Sequence, residues 1–158
     1  MGLPEPNIVE LDTFKIIGTK YFGKNQHNEV NKLWDDFYPR IKEIKSRINE
    51  NKNYGICELF PGSSKFSYIS SVKVANSEEV PKNMMCRIIP FSKYALFTHK
   101  GSLNSLGQTY EYIYGVWLPN SPYEHSTLPD IEEYDNTYCD DNPEECLINI
   151  YIPIKYIQ

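Results

Sequence analysis

Hydrophobic residues follow two different spacings along this chain, and the spacing changes several times from one end to the other. Segments rich in β-branched and aromatic residues, some with strict alternation, predict strands. These segments are Ile8–Phe22, Tyr54–Phe60, Lys65–Val74, Met85–His99, Ile131–Tyr134 and Cys146–Tyr156. Apolar residues three and four apart predict helices. The helical segments run from a cap at Asn25 to Ile48, and from Leu103 to Trp117.

Glycine and proline positions refine this prediction. Gly18 within the first strand suggests a bulge or bend. Pro39 lies inside the first helical pattern and should kink or split that helix, because it lacks a backbone donor. Pro90 should break the strand that contains it. Alternation in Lys65–Val74 predicts a strand with one buried side.

Both halves of the chain follow the order strand, helix, strand, strand. The halves span about residues 7–75 and 85–156, with a linker between them. We therefore predict a single α+β domain over residues 1–158, built from duplicated β-α-β-β units. An acidic segment, DNTYCDDNPEE, precedes the last strand and should form an exposed loop.

Composition narrows the range of functions. The net charge is −5 and the pI about 5.2, which argues against direct nucleic-acid binding, since phosphate contacts need clustered Lys and Arg. The 13 tyrosines exceed the 7 phenylalanines. This excess suits either a ligand pocket or interface, or simply a tyrosine-rich core and surface.

Targeting signals and metal motifs are not found in the sequence. No apolar segment is long enough for a membrane helix, and the N-terminus does not resemble a signal peptide. The four cysteines form no Cys-x-x-Cys pair and the three histidines are scattered. We expect a cytoplasmic protein with reduced thiols, no metal, no cofactor and no membrane contact.

Several segments, in this order, resemble the GyrI-like (AraC-type) effector-binding domain family. They are PFSKYALFTHKGS, YEYIYGVWLPNSPYE, LPDIEEYD and INIYIPIK, with weaker similarity in FKIIGTKYFG, NKLWDDFYPRI and FSYISSVKV. The resemblance implies a bacterial protein in which two units lie side by side, with a mostly antiparallel sheet, two helices and a central cleft. It also implies relatedness to multidrug-responsive transcription regulators.

The resemblance also implies a set of site residues. Glu132 matches a family glutamate that points into the cleft, where a carboxylate without a partner is costly to bury. Asn149 stands where family members often carry a second acidic residue, which weakens the expectation of a strongly cationic ligand. The other candidate ligand-binding residues are aromatic: Tyr68, Tyr112, Trp117, Trp34 and Tyr134.

Three functions remain open at this stage. The first is a stand-alone domain that binds an amphipathic aromatic ligand, either cationic or neutral, and that is not expected to bind DNA directly. The second is a hydrolase of cyclopropane-bearing genotoxins, in which Glu132 would act on water with a pKa raised by apolar surroundings. The third is a gyrase-inhibitor-like module with a protein partner. A monomer or weak dimer is expected in each case.

Overall fold

The computed structural model describes residues 5–101, 105–135 and 147–158. Helix α1 is Glu29–Phe37 and helix α2 is Leu106–Tyr112. A π-helical turn, Ile113–Trp117, continues α2, and 3-10 turns follow at Tyr38–Glu43 and Leu118–Asn120. The strands are β1 (Asn7–Leu11), β2 (Phe14–Gly23), β3 (Lys52–Leu59), β4 (Phe66–Val74), β5 (Met85–Ile89), β6 (Ser92–Lys100), β7 (Tyr123–His125), β8 (Asp130–Asp135) and β9 (Leu147–Tyr156).

The strands form one sheet in the order β1-β6-β9-β8-β3-β4-β2-β5, and β7 pairs with β9. Every pairing is antiparallel. Each half contributes three neighbouring strands: β2, β4 and β3 from the first half, and β6, β9 and β8 from the second. The two halves meet where β3 pairs with β8. This arrangement confirms the α+β fold of duplicated β-α-β-β units.

The two ends of the sheet lie close together. Only Asp12 and Thr13 join β1 to β2, although these strands stand near opposite ends of the strand order. Pro90 and Phe91 join β5 to β6 in the same way. The backbone N–H of Phe91 donates to Thr13 Oγ1 at 3.0 Å, so these two links contact each other. The sheet therefore curls around one of its faces.

Opposite faces of the sheet bury separate apolar clusters. Inside the curl lie Phe14, Ile16, Tyr54, Ile56, Ile69, Ile89, Tyr94, Ile131 and Tyr151. On the other face, α1 packs Trp34 and Phe37 against β2 and β4. The α2 segment packs Ile113 against β6 and β9 on that same face. The central strands β3 and β8 therefore pass beneath the space between the two helical segments.

Several predicted boundaries differ in the structure. The first strand breaks at Asp12–Thr13 and not at Gly18, which is paired within β2. A Cβ on Gly18 would lie 1.9 Å from the backbone oxygen of Ser70, so this glycine permits close approach of two strands. Strand β4 is buried on both faces, since the curl encloses the side predicted to face solvent.

The first helix also ends earlier than the spacing predicted. Helix α1 ends at Phe37, and a 3-10 turn with Pro39 near its start follows from Tyr38, which confirms the predicted split. Ile48 does not join the apolar face and is 40% exposed. Leu103, Cys146 and most of the acidic loop lie outside the described residues. The assignment of residues 1–158 to one domain stays a prediction.

Candidate functional site

Glu132 lies on β8 at the centre of the sheet, beneath the space between the two helical segments. Its neighbour Ile131 points into the core inside the curl, so Glu132 points to the helix-covered face. Only 5% of Glu132 is exposed. The strand therefore carries a carboxylate into the interior at the junction of the two halves.

Three tyrosine hydroxyls donate to this carboxylate. Tyr68 on β4 donates to Oε1 at 2.7 Å, and Tyr110 on α2 donates to Oε2 at 2.6 Å. Tyr134, two residues further along β8, also donates to Oε1. An ionised carboxylate accepts hydrogen bonds and donates none, so three O–H donors match it. Side chains from both halves of the chain thus converge on one acceptor and occupy the expected cleft.

Trp34 extends this cluster to helix α1. Its Nε1 donates to the hydroxyl of Tyr68 at 3.2 Å, and its ring centroid lies 5.5 Å from that of Tyr134. The structure therefore brings together four of the residues suggested by the sequence, namely Glu132, Tyr68, Tyr134 and Trp34. Their assignment as ligand-binding residues stays a prediction.

The environment of Glu132 keeps its tyrosine partners protonated. Burial raises the pKa of Tyr68, Tyr110 and Tyr134 well above the usual value for a phenol, and the nearby charge of Glu132 adds to the increase. Losing a proton would place a second negative charge beside the carboxylate in a low-dielectric site. The hydroxyls therefore remain donors across the physiological range.

Two residues that complete this cluster were missed by the sequence prediction. Gly55 on β3 is the register partner of Glu132. A Cβ there would lie 2.0 Å from the Tyr68 hydroxyl and 3.1 Å from Glu132 Oε1. Tyr110, and not the predicted Tyr112, is the helix residue that reaches the carboxylate. Tyr110 lies four residues after Leu106 and three before Ile113, which puts it on the apolar face of the helix and was a signal for this role.

Three predicted site residues lie elsewhere. Tyr112 and Trp117 pack with the second half's core, where the Trp117 ring lies 5.1 Å from Phe97. Asn149 pairs with Glu133 on the opposite face of the sheet and donates to its Oε1 at 3.0 Å. The amide therefore does not face Glu132, and its identity carries no information about the charge of a ligand at Glu132.

A second buried carboxylate lies on the same face of β8. Asp130 is 2% exposed and accepts a hydrogen bond from the hydroxyl of Tyr114. His125 Nε2 lies 2.9 Å from Asp130 Oδ1, while His125 Nδ1 accepts from the backbone N–H of Thr127. With Nδ1 used as an acceptor, Nε2 carries the proton and donates to Asp130. The end of β7 and the loop that follows it therefore fix the position of this second carboxylate.

The two carboxylates have parallel environments. Tyr110 and Tyr114 are one helical turn apart, and their rings stack with centroids 6.4 Å apart. Each of these two tyrosines reaches one of the carboxylates. Cys57 on β3 is the register partner of Asp130. Burial, followed by the charges of Glu132 and Asp130, raises the pKa of the Cys57 thiol.

The charge of Glu132 has no cationic partner within the described ranges, where no salt bridge joins it. In the same part of the chain, no group of three or more His, Cys, Asp or Glu is placed to hold a metal ion. None of the described helices is long and apolar enough to cross a membrane. The arrangement is an uncompensated carboxylate surrounded by aromatic rings.

Residues 4–155 match the family described as the GyrI-like small molecule binding domain. The chain belongs to this family. The GyrI-like domain is 32% identical over 147 residues to the transcriptional regulator BrlR of Pseudomonas aeruginosa. That match covers 93% of this chain and 54% of BrlR, so the domain spans about half the length of this curated relative.

Solved structures share the fold of this GyrI-like domain. SAV2435, solved with bound tetraphenylphosphonium, has a TM-score of 0.78 and 20% identity over 96% of this chain and 94% of that chain. EcmrR, solved in a complex with DNA, has a TM-score of 0.78 and 15% identity over 97% of this chain and 58% of that chain. The domain is therefore a GyrI-like fold related to a transcriptional regulator.

Proposed function

We propose that this GyrI-like domain binds an amphipathic aromatic cation at Glu132. The observation that carries this proposal is the buried carboxylate of Glu132, which has hydroxyl partners but no cationic partner among the described residues. A buried charge without a counter-charge is costly, and a cationic ligand would supply one. The binding of tetraphenylphosphonium by SAV2435, a protein of the same fold, supports this ligand class.

The rings around Glu132 suit the apolar part of such a ligand. Trp34, Tyr68 and Tyr134 present aromatic surface next to the carboxylate. A cation over an aromatic face gains about 0.5–2 kcal/mol for each ring it contacts. On binding, attraction between the cation and Glu132 would replace hydroxyl–carboxylate hydrogen bonds, and the released rings would pack against the ligand. Recognition would then combine one charge with several aromatic surfaces, which favours a broad range of ligands.

The test is a thermal-shift measurement with tetraphenylphosphonium on the wild type and on Glu132→Gln. Ligand at about one hundred times its Kd stabilises a native protein by about 2.7 kcal/mol. For a chain of this size the expected increase in Tm is about 5–10 °C. Glu132→Gln keeps the shape of the side chain and removes its charge. The increase should therefore be lost in this variant.

Glu133→Gln is the matched control. Glu133 lies next to Glu132 but faces the other side of the sheet, where Tyr54 donates to its Oε2 at 3.0 Å. This variant should keep the full ligand-induced increase in Tm. Triphenylphosphine oxide is neutral and similar in shape to tetraphenylphosphonium. It should not raise the Tm of the wild type or of Glu133→Gln. Equal shifts in Glu132→Gln and the wild type would refute the proposal.

Hydrolysis and protein partnership remain the other predictions. A water-activating base needs a free oxygen lone pair and space for water, whereas tyrosine hydroxyls already occupy three of the roughly four lone-pair sites of the Glu132 carboxylate. No specific observation favours either function over ligand binding. Turnover of a strained electrophile that is abolished in Glu132→Gln but retained in Glu133→Gln would favour the hydrolase.

A further inference from the structure

Glu132 belongs to a row of residues that crosses the first half of the sheet. Glu132 pairs with Gly55, Gly55 pairs with Ser70, and Ser70 pairs with Thr19 on the next strand. Register partners on adjacent antiparallel strands place their side chains on the same face. The residues two positions from Ser70 on β4, Tyr68 and Val72, both pack against α1. The whole row therefore lies on the helix-covered face.

The far end of this row carries two hydroxyls without hydrogen-bond partners among the described residues. They are Ser70 Oγ and Thr19 Oγ1, and both atoms are shielded from solvent. Ser70 as a whole is 0% exposed. Buried polar groups in native proteins are normally paired, so each exception needs an explanation. Two such hydroxyls side by side, in the row of the charged residue, indicate a place for a polar group of a ligand.

Gly55 connects the two ends of the row. It has no side chain, and the space above it is occupied by the hydroxyl of Tyr68, 2.0 Å from the position of a Cβ. If that hydroxyl moves off Glu132 when a cation binds, bare backbone is left between the carboxylate and Ser70. Adjacent strands are about 4.8 Å apart, so two strand spacings separate the backbones of Glu132 and Ser70 by about 10 Å. The Glu132 carboxylate leans over the intervening strand, since its Oε1 lies 3.1 Å from the Cβ position of Gly55. An elongated ligand that binds the carboxylate at one end could reach Ser70 at the other.

We propose that the site extends from Glu132 over Gly55 to Ser70 and Thr19, and that it takes an elongated cation whose hydrogen-bonding group lies at the end away from the positive charge. The inference rests on the proposed function, because the cationic end is placed at Glu132. It adds a polar end to the ligand and assigns two specificity-determining residues, Ser70 and Thr19. Ser70 and Thr19 can each donate or accept, so a hydroxyl or a carbonyl would fit.

The test compares two probes that differ in one group. They are hexyltriphenylphosphonium and its analogue with a hydroxyl at the end of the hexyl chain. The wild type should bind the hydroxyl analogue about tenfold more tightly in isothermal titration, because the site's hydroxyls gain partners only with this probe. Ser70→Ala should bring the ratio of the two Kd values close to one, because it weakens the hydroxyl analogue more than hexyltriphenylphosphonium. Thr19→Val, which has a similar shape, should also reduce the ratio.

A second measurement checks the unpartnered state itself. Ser70→Ala removes a hydroxyl that makes no hydrogen bond in the described structure, so its Tm should not fall. A clear loss of Tm would mean that the hydroxyl has a structural role, and this would overturn the inference. Equal binding of the two probes by the wild type, or an unchanged preference in Ser70→Ala, would also overturn it. In both of those cases a loss of hexyltriphenylphosphonium binding in Glu132→Gln leaves the proposed function standing. If the folded wild type binds neither probe, both proposals fail.

Discussion

Adding one methyl group at Gly55 tests the packing of the cluster that Glu132 forms with its tyrosine partners. A Cβ there would overlap the Tyr68 hydroxyl, which Trp34 and Glu132 hold in place. Gly55→Ala should therefore lower the free energy of unfolding by about 1–3 kcal/mol, as overpacked cores do. It should also abolish the tetraphenylphosphonium shift. Urea unfolding measures the first effect and thermal shift the second.

Gly107 in α2 is the matched control for this substitution. A Cβ on Gly107 meets no heavy atom within 4 Å. Because alanine has a higher helix propensity than glycine, Gly107→Ala should stabilise the protein by up to about 1 kcal/mol and leave binding intact. Gly55→Ala with wild-type stability and wild-type binding would show that Tyr68 can vacate its position freely. Such a result would contradict the tight packing of Gly55 against the Tyr68 hydroxyl.

Single residues differed in how well the sequence could place them. Glu132 could be assigned because a family motif and strand alternation both specify its face. Asn149 was expected in the cleft but faces away from it, because the last strand places Ile148 and Ile150 on the helix-covered side. Asp130 was not recognised, since its burial depends on Tyr114 from another element. Contacts between distant segments leave no local signal in a single sequence.

The two helical segments each carry one tryptophan. Only the fluorescence of the tryptophan next to the Glu132 cluster should change when a ligand binds there. Trp34 on α1 contacts the Glu132 cluster through Tyr68, whereas Trp117 packs against Phe97 and Tyr123 in the second half's core. The sequence contains only two tryptophans, so replacing one leaves a single fluorophore. In Trp117→Phe, tetraphenylphosphonium should change the fluorescence of Trp34. In Trp34→Phe, it should leave the fluorescence of Trp117 unchanged.

Stability provides the control for this pair of variants. Both substitutions replace an indole with a smaller phenyl ring, so each should lower the free energy of unfolding, measured with urea, by roughly 1–3 kcal/mol. Only Trp34→Phe should also weaken binding, because it removes the Nε1 donor to Tyr68. A ligand-dependent signal from Trp117 in Trp34→Phe would instead place the ligand in the second half's core. That result would support the prediction that Trp117 lines the site.

Elements were easier to predict than the details of their geometry. Hydrophobic spacing identified the strands and both helical segments, and Pro39 and Pro90 marked two breaks correctly. The π-helical turn at Ile113–Trp117 was not predictable, because a uniform 3.6-residue period was assumed for the whole helix. The short strand β7 was also missed. It contains only Tyr123–His125 and is defined by its pairing with β9 rather than by its own pattern.

For the molecule as a whole, the buried tyrosines make the free energy of unfolding depend on pH in the alkaline range. Burial is the first cause that raises the pKa of Tyr68, Tyr110, Tyr114 and Tyr134, and it raises the pKa of Tyr94 and Tyr151 to about 12. A tyrosine in the unfolded chain has a pKa of about 10. Above that pH the unfolded chain loses phenol protons that the folded chain retains. Since the folded state then binds more protons than the unfolded state, the free energy of unfolding falls as pH rises.

The expected result is a stability plateau that ends at about pH 10, followed by a decrease of up to about 1.4 kcal/mol per pH unit for each such tyrosine. Urea unfolding across this range measures the decrease, and ultraviolet absorbance of tyrosinate reports when the rings ionise. Tyr110→Phe removes one buried phenol and should reduce the slope by up to about 1.4 kcal/mol per pH unit. Equal slopes in the wild type and Tyr110→Phe would mean that the Tyr110 hydroxyl ionises in the folded state, which is incompatible with its burial beside Glu132.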